Sequence, residues 1–175
     1  MEKVSINKEM HLSEHFQLGE VTKTSVKTAD GNIPSHVAIE NLKNLCENWL
    51  EDLRYSYNTL YPTSHLERSR EISPRATLGR DDNPIIITSG YRSPEVNKAV
   101  GGAPTSNHLT GCAVDIRCEG FEQALRYANI LLDISDGTKQ DYDELFIERS
   151  KQGRYWIHFA VRPKDNRRKT AFILT

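Results

Sequence analysis

Apolar residues recur at steps of three and four over residues 33–57, and this spacing predicts an amphipathic helix with one buried face. Ser35 stands just ahead of Val37, the first residue of the predicted buried face, and can cap the N-terminus of that helix. The same periodicity predicts a second amphipathic helix over residues 121–133. The buried face of the first helix is predicted to consist of Val37, Ile39, Leu42, Leu45, Cys46, Trp49, Leu50 and Leu53.

Short apolar runs separated by turn residues predict the strands of a sheet. The run PIIITS, residues 84–89, is predicted to be a buried strand, and GCAVDIRC, residues 111–118, a second one. Residues 143–148 and 154–161 are predicted to be strands joined by the turn RSKQG, which indicates a hairpin. Residues 170–175 are a candidate for the last strand.

The remaining segments are turns and loops. A GYRS turn leads into a short predicted helix with Pro94 at its first position. We interpret residues 1–34 as an arm on a single domain, and residues 56–83, which lack any sustained period, as a long inserted loop. The basic run 162–169, RPKDNRRK, is interpreted as a solvated hairpin loop, with contact to an anionic polymer as the alternative.

Composition limits the classes of function. The chain has 175 residues, enough for one domain with a core, and its formal net charge of −1 argues against a nucleic-acid partner. No apolar run approaches the roughly 20 residues of a membrane-spanning helix. The first residues lack the apolar core of a signal peptide, so we expect synthesis in the cytoplasm, and an extracellular role would require lysis or another export route. Cys46, Cys112 and Cys118 follow no CxxC spacing and are expected to be reduced.

The candidate chemistry begins with one carboxylate. Asp115 lies between Val114 and Ile116 in a predicted strand, where burying a lone charge would cost several kcal/mol or more. A metal ion would be one suitable partner for this carboxylate. Pairing with Arg92 or Arg117 is the alternative.

Two histidines complete a possible metal site. A turn at Gly111 can carry His108 back towards the start of the strand that holds Asp115. The best candidate for a third ligand is His158, an imidazole among large apolar residues in WIHF, although a hydrogen-bonded core histidine is the alternative. Two imidazoles and one carboxylate with an open fourth position suit catalytic zinc, and these ligand types also admit nickel, cobalt or iron.

A longer motif surrounds these residues. The pattern SxHxxGxAxD is formed by Ser106, His108, Gly111, Ala113 and Asp115. It resembles the motif of the zinc D-alanyl-D-alanine carboxypeptidases and the related phage L-alanyl-D-glutamate endolysins. The segments SGYRSPEVNKAVGG upstream and WIHFAV downstream stand in the order found in that family, and the similarity covers nearly the whole chain except residues 56–83.

The resemblance implies a fold and a set of roles. The fold is of the hedgehog and D,D-peptidase type: a compact α+β domain whose small antiparallel sheet carries the metal on one face and helices on the other. It implies that His108, Asp115 and His158 bind one zinc ion per chain. It also implies that Arg92 holds a substrate carboxylate or polarises the scissile carbonyl, and that Ser106 lies at the substrate edge of the motif.

One position departs from the family pattern. Several members place Asp or Glu three residues before the last histidine, where this chain has Tyr155. The replacement proposed for the general base is Glu148, and Glu144, on the same face of a regular strand, is the second candidate. Alternatively, Glu148 only caps the hairpin and pairs with Arg149 or Arg154.

The function implied by the resemblance is hydrolysis of peptidoglycan stem peptides by a zinc peptidase, as a carboxypeptidase or as an endopeptidase. The expected partner is therefore the stem peptide, reached in the cell wall after release or export. The alternative is a catalytically inactive, zinc-bearing module that binds peptide or cell wall, because the hedgehog domain shows that this scaffold can serve as a signal.

Overall fold

The computed structural model describes residues 7–29, 31–62 and 83–175. The elements are, in chain order, α1 (Leu18–Val21), α2 (His36–Leu45), a π-helical turn (Cys46–Leu50), α3 (Glu51–Leu60), β1 (Ile87–Ser89), α4 (Pro94–Ala99), a 3-10 helix (Asn107–Thr110), β2 (Ala113–Cys118), α5 (Phe121–Thr138), β3 (Glu144–Arg149), β4 (Tyr155–Ala160) and β5 (Lys169–Leu174). The predicted loop 56–83 begins too early, because α3 continues to Leu60, and residues 63–82 lie outside the described residues. No described helix combines the length and the apolar character that crossing a membrane requires.

The first long amphipathic helix is confirmed and runs without a break through α2, the π-helical turn and α3. The Ser35 hydroxyl accepts a hydrogen bond from the Ala38 amide at 3.2 Å, as an N-cap should. The prediction is wrong for Val37, which is 67% exposed, because Val37 lies about 140° around the helix from the fully buried Leu42. The other buried positions predicted on this face are confirmed for Leu45, Cys46, Trp49, Leu50 and Leu53.

The strands form a five-stranded sheet in the order β1-β2-β4-β3-β5. The predicted α+β class and the hairpin of β3 and β4 are confirmed. The predicted antiparallel sheet is wrong at one pair, because β5 runs parallel to β3. The segment 162–169 therefore is not a hairpin loop: it leads from β4 to a strand on the far side of β3.

The first strand of the sheet is shorter and more exposed than its sequence predicts. Only Ile87–Ser89 forms β1, at one edge of the sheet, and Ile86 is 45% exposed. A run of three isoleucines is typical of a strand whose two faces are both buried. A strand at the edge of the sheet, with one neighbouring strand, can leave one face exposed to solvent. Ile85 alone of the three is buried.

The two faces of the sheet have different compositions. Asp115 of β2 and Phe146 of β3 both lie opposite His158 of β4, so these three side chains project from the same face. Alternation along β3 adds Glu144 and Glu148 to that face. The other face packs on the helices through Val114, Ile116, Leu145, Ile157 and Phe159, all of which are fully buried.

The N-terminal segment packs against the long helix. Glu51 at the start of α3 accepts hydrogen bonds from the Ser13 hydroxyl at 2.7 Å and the His15 amide at 2.8 Å. Four apolar side chains of this segment are at most 2% exposed: Leu12, Phe16, Leu18 and Val21. The three cysteines are also buried and unpaired, as expected.

Gly111 joins the 3-10 helix to β2 in a conformation that only glycine suits. Its φ is +72°, and a Cβ there would lie 2.3 Å from the Ala38 carbonyl oxygen. Gly101 has nearly the same φ, +73°, but open space around the missing Cβ. The Gly101→Ala variant should therefore lose about 1–2 kcal/mol of unfolding free energy from the left-handed backbone alone. We expect Gly111→Ala to lose clearly more in urea denaturation, and equal losses would contradict the close approach.

Candidate metal centre

Three predicted ligands come from three elements that meet on one face of the sheet. His108 lies in the 3-10 helix, whose N-cap, Ser106, accepts a hydrogen bond from the His108 amide at 3.4 Å. Asp115 and His158 lie in the middle of β2 and β4 and are directly opposite each other in the register. All three side chains are largely buried. The structure therefore brings the three residues together.

The potential ligand atoms form a nearly equilateral triangle. His108 Nε2 lies 3.3 Å from both Asp115 Oδ1 and His158 Nδ1, and His158 Nδ1 lies 3.0 Å from Asp115 Oδ1. A tetrahedral zinc ion with ligands at 2.0–2.1 Å separates them by about 3.3 Å. The three side chains thus fit a metal ion and leave a fourth position for another ligand, and among the described residues they form a cluster close enough to share one.

The other nitrogen of each imidazole has a hydrogen-bond acceptor, which orients the ring. His108 Nδ1 lies 2.6 Å from the Gly90 carbonyl oxygen, and His158 Nε2 lies 3.4 Å from Glu144 Oε2. A proton on each of these nitrogens leaves His108 Nε2 and His158 Nδ1 free to bind a metal. Carboxylate and carbonyl partners of this kind are usual around metal-binding histidines.

Electrostatics keep the cluster together without a metal. Burial raises the pKa of Asp115, but the two histidines outweigh it and hold that pKa well below its ordinary value. Burial lowers the pKa of His158, but hydrogen bonds to Asp115 and Glu144 outweigh it and raise the pKa to about 9. Metal-free protein therefore carries an imidazolium between two carboxylates at neutral pH, and a metal ion would take the place of the proton on Nδ1.

Glu144 is itself held in position by residues that the sequence analysis did not single out. Arg167 donates to Glu144 Oε1 at 2.7 Å and also to both oxygens of the fully buried Asp143, and Asn107 bridges the same two carboxylates at 3.0 and 2.8 Å. Most of the run 162–169 is exposed, as a solvated segment should be, but Arg167 is also bound to Asp143 and Glu144, which the interpretation as a solvated loop did not include. The adjacent carboxylates Asp143 and Glu144, at the start of β3, were the signal for this contact in the sequence.

Arg167 should influence metal binding through Glu144 and His158. Removing a direct partner of a metal-binding histidine typically weakens metal affinity by about 10–100-fold, and Arg167 lies one contact further away. We expect Arg167→Ala to weaken zinc affinity by up to about tenfold, with partial recovery in Arg167→Lys. Competition with a chromophoric chelator measures this change.

The matched control is Arg168→Ala. Arg168 is the next residue in the chain, but it pairs with Asp136 and Asp141 instead of Glu144. Both alanine variants remove one positive charge and two carboxylate contacts. If they shift zinc affinity equally, the effect is one of charge or stability, and Arg167 does not position His158.

Glu148 lies on the face of the sheet that carries Asp115 and His158, hereafter the metal-binding face. It follows Phe146 by two residues in β3, and the ring of Phe146 stacks 5.6 Å from that of His158. Within the described residues, its carboxylate makes no hydrogen bond or ion pair, so the pairing with Arg149 or Arg154 is not seen. Burial raises the pKa of Glu148, and nearby carboxylates add to the rise while His158 and Arg92 oppose it. A carboxylate of this kind remains available as a proton acceptor.

Glu144 differs from Glu148 in the direction of its pKa shift and in its hydrogen-bond partners. The hydrogen bond from His158 lowers the pKa of Glu144, although burial acts in the opposite direction. Both of its oxygens are engaged by Arg167, Asn107 and His158. This arrangement suits a residue that orients an imidazole better than one that collects a proton.

Tyr155 has no access to the metal-binding face. It lies three residues before His158 in β4, so regular alternation places it on the opposite face. There its ring lies 5.6 Å from that of Phe121, at the start of α5. A carboxylate at position 155 would point towards the helices in this structure, so tyrosine there removes no group from the site.

Arg92 reaches the cluster from the turn after β1. Its Nη2 donates to Asp115 Oδ2 at 2.5 Å and its Nε donates to the Ser89 hydroxyl at 2.8 Å. The pairing of Asp115 with Arg92 is therefore present together with the histidine contacts. Arg117, the other partner considered, makes no ion pair with Asp115. Arg92 also lines a cavity of about 190 Å³ beside β1.

Part of the chain is similar to a known protein family. A family model described as Peptidase M15 matches residues 72–142. The matched segment contains Arg92, His108 and Asp115 and ends before Glu144 and His158. None of the curated proteins compared with the chain matches it. The match supports a metallopeptidase of the M15 family, and the α+β fold with its five-stranded mixed sheet is consistent with that family.

Proposed function

We propose that this M15-type chain is a zinc peptidase that hydrolyses peptidoglycan stem peptides, as a D,D-carboxypeptidase or as an endopeptidase. The observation that carries the proposal is the triangle of His108, Asp115 and His158, whose sides of 3.0–3.3 Å match a tetrahedral zinc site. Glu148, whose carboxylate makes no hydrogen bond or ion pair with the described residues, lies on the same face. The sequence motif supplies the choice of substrate, because it resembles that of enzymes acting on stem peptides.

The residues around the triangle have separable roles in this proposal. A zinc ion bound there would act as a Lewis acid on the scissile carbonyl and make a water molecule more acidic. Glu148 accepts the proton of the attacking water and returns it to the leaving amine. Glu144 and the Gly90 carbonyl keep the two imidazoles in the tautomers that metal binding requires.

Arg92 is the proposed contact for the charged part of the substrate. Its Nε and Nη2 are used by Ser89 and Asp115, which fix the guanidinium plane and leave its remaining N–H groups for a substrate oxygen. Ser106 lies at the edge of the same site as the cap of the helix that carries His108. A substrate carboxylate or the developing oxyanion suits such a preorganised donor.

The Arg92→Lys variant should lose at least about tenfold in kcat/KM, which corresponds to about 1.4 kcal/mol, because lysine keeps the charge but loses the planar fork. Metal content and melting temperature should change little. Steady-state kinetics on a synthetic stem peptide measures the loss. Full activity in Arg92→Ala would show that this arginine does not contact the substrate.

The proposed function is tested by digestion of purified sacculi with the zinc-loaded protein, followed by mass spectrometry of the products. Release of free D-alanine indicates a carboxypeptidase, whereas a new amino terminus within the stem peptide indicates an endopeptidase. His108→Ala is the control, because it removes a ligand without touching Glu148 or Arg92. The absence of any product from the parent would refute the peptidase.

The inactive binding module loses its main support in this structure. That alternative rested on the missing carboxylate at Tyr155, and position 155 faces the helices. Glu148 offers a carboxylate on the correct face instead. A protein that sediments with sacculi but releases no product would nevertheless establish the binding module.

A further inference from the structure

A groove of about 790 Å³ extends the metal-binding face towards the turn between β3 and β4. None of the three metal-binding candidates lines it. Its walls include Arg117 of β2 and Trp156 of β4, together with Arg154 and Gly153 from the turn and Glu119 beyond the end of β2. The groove is therefore built largely from polar, charged and aromatic groups, and it differs from the cavity beside Arg92.

The register places this groove next to the metal-binding candidates. Arg117 and Trp156 are directly opposite each other, and they lie two residues along their strands from Asp115 and His158. Two residues of a strand span about 6.6–6.8 Å. Alternation puts all four side chains on the same face, so a peptide held at the metal can continue into the groove.

The two arginines of the groove, Arg117 and Arg154, are not paired with any carboxylate in the part of the chain that the structure describes. Arg117 and Arg154 make no side-chain hydrogen bond or ion pair with the described residues, and Glu119 is the one carboxylate among the residues lining the groove. By contrast, Arg167 and Arg168 of the basic run are each bound to two carboxylates. An arginine that pairs with no described carboxylate and lies beside an aromatic ring suits a ligand that is anionic and partly apolar.

We propose that this groove is the subsite for a carboxylate-bearing residue of the peptide substrate, and this inference rests on the proposed function. Arg117 binds the carboxylate, and the indole of Trp156 packs against the aliphatic part of the same residue. An extended peptide advances about 3.3 Å per residue, so the carboxylate belongs about two residues from the scissile bond. The groove thereby selects substrates by charge at that position.

The test uses two synthetic peptides that differ at one residue, D-glutamate in one and D-glutamine in the other, two positions from the scissile bond. Binding to the zinc-loaded protein is followed by tryptophan fluorescence in the first milliseconds after mixing. Of the two tryptophans, Trp49 is fully buried and Trp156 lines the groove, so the signal reports on the groove.

We expect the parent to bind the glutamate peptide at least tenfold more tightly than the glutamine peptide. Arg117→Gln should abolish this preference, and Trp156→Phe should abolish the fluorescence change. The charge-matched control Lys164→Gln, at an exposed position outside the residues lining the groove, should behave like the parent. Equal binding of the two peptides by the parent, or an unchanged preference in Arg117→Gln, would overturn the subsite.

Hydrolysis of the same peptides separates this inference from the proposed function. Preferential binding that depends on Arg117, without any hydrolysis, would overturn the peptidase and leave the anionic subsite. Hydrolysis of both peptides at the same kcat/KM would overturn the subsite and leave the peptidase.

Discussion

Glu148→Gln should lose roughly 10²–10⁴-fold in turnover while it retains the parent's zinc content and melting temperature. Glutamine keeps the size and the hydrogen-bonding capacity of the side chain but cannot accept a proton. The carboxylate makes no hydrogen bond or ion pair with the described residues, so its replacement breaks no contact seen in the structure. Burial, which raises the pKa of Glu148, also makes a neutral amide easy to accommodate.

Glu144→Gln is the matched control, because it makes the same chemical change two residues earlier on the same strand face. It should weaken zinc affinity by about 10–100-fold, since Glu144 orients His158, with a smaller effect on turnover at saturating zinc. Zinc content, melting temperature and sacculus digestion are measured on both variants. If Glu144→Gln loses turnover and Glu148→Gln does not, the two roles are reversed.

His158→Ala should abolish stoichiometric zinc binding, because the remaining pair, His108 and Asp115, is too small a ligand set for tight binding. The parent should bind about one zinc per chain, with an affinity that depends on pH. His158 in the metal-free protein has a pKa of about 9, so protons compete with zinc below that pH. Affinity should fall about tenfold per pH unit from pH 9 downwards.

The same pKa shift predicts a stability effect with a definite sign. The pKa of His158 is raised on folding, so its ion pairs stabilise the metal-free protein fully below the unfolded-state value of about 6.5. That contribution disappears as the pH rises through about 9. Chelator competition and urea denaturation from pH 6 to pH 10 measure the two effects. A zinc affinity independent of pH would contradict His158 as a ligand.

The sequence predicts the composition of the site better than its geometry. The turn at Gly111 brings His108 towards Asp115, and the imidazole within the apolar run WIHF adds His158. The register that places Asp115 directly opposite His158 depends on long-range strand pairing, which a local pattern does not encode. A local pattern also does not predict which nitrogen of each imidazole faces the other two ligands. That choice depends on the hydrogen bonds of His108 to Gly90 and of His158 to Glu144, which are distant in sequence.

The basic run 162–169 illustrates a second limit of the sequence. A run of charged residues is typical of a solvated loop, because charged side chains usually lie in water. The partners of Arg167 lie more than 20 residues earlier in the chain, so the local sequence does not indicate them. The parallel pairing of β5 with β3 draws the run across the end of the sheet and onto Asp143 and Glu144. Nothing in the local spacing distinguishes this path from a hairpin.

The most direct test of the account is a titration of metal-free protein with zinc in the presence of purified sacculi, in which new amino groups are counted. If His108, Asp115 and His158 hold a catalytic zinc ion, we expect no release without metal, a rise in rate that saturates at about one zinc per chain, and complete loss of that rate in His108→Ala. Release that is indifferent to added zinc and to chelator, or no release at any zinc concentration, would contradict this assignment.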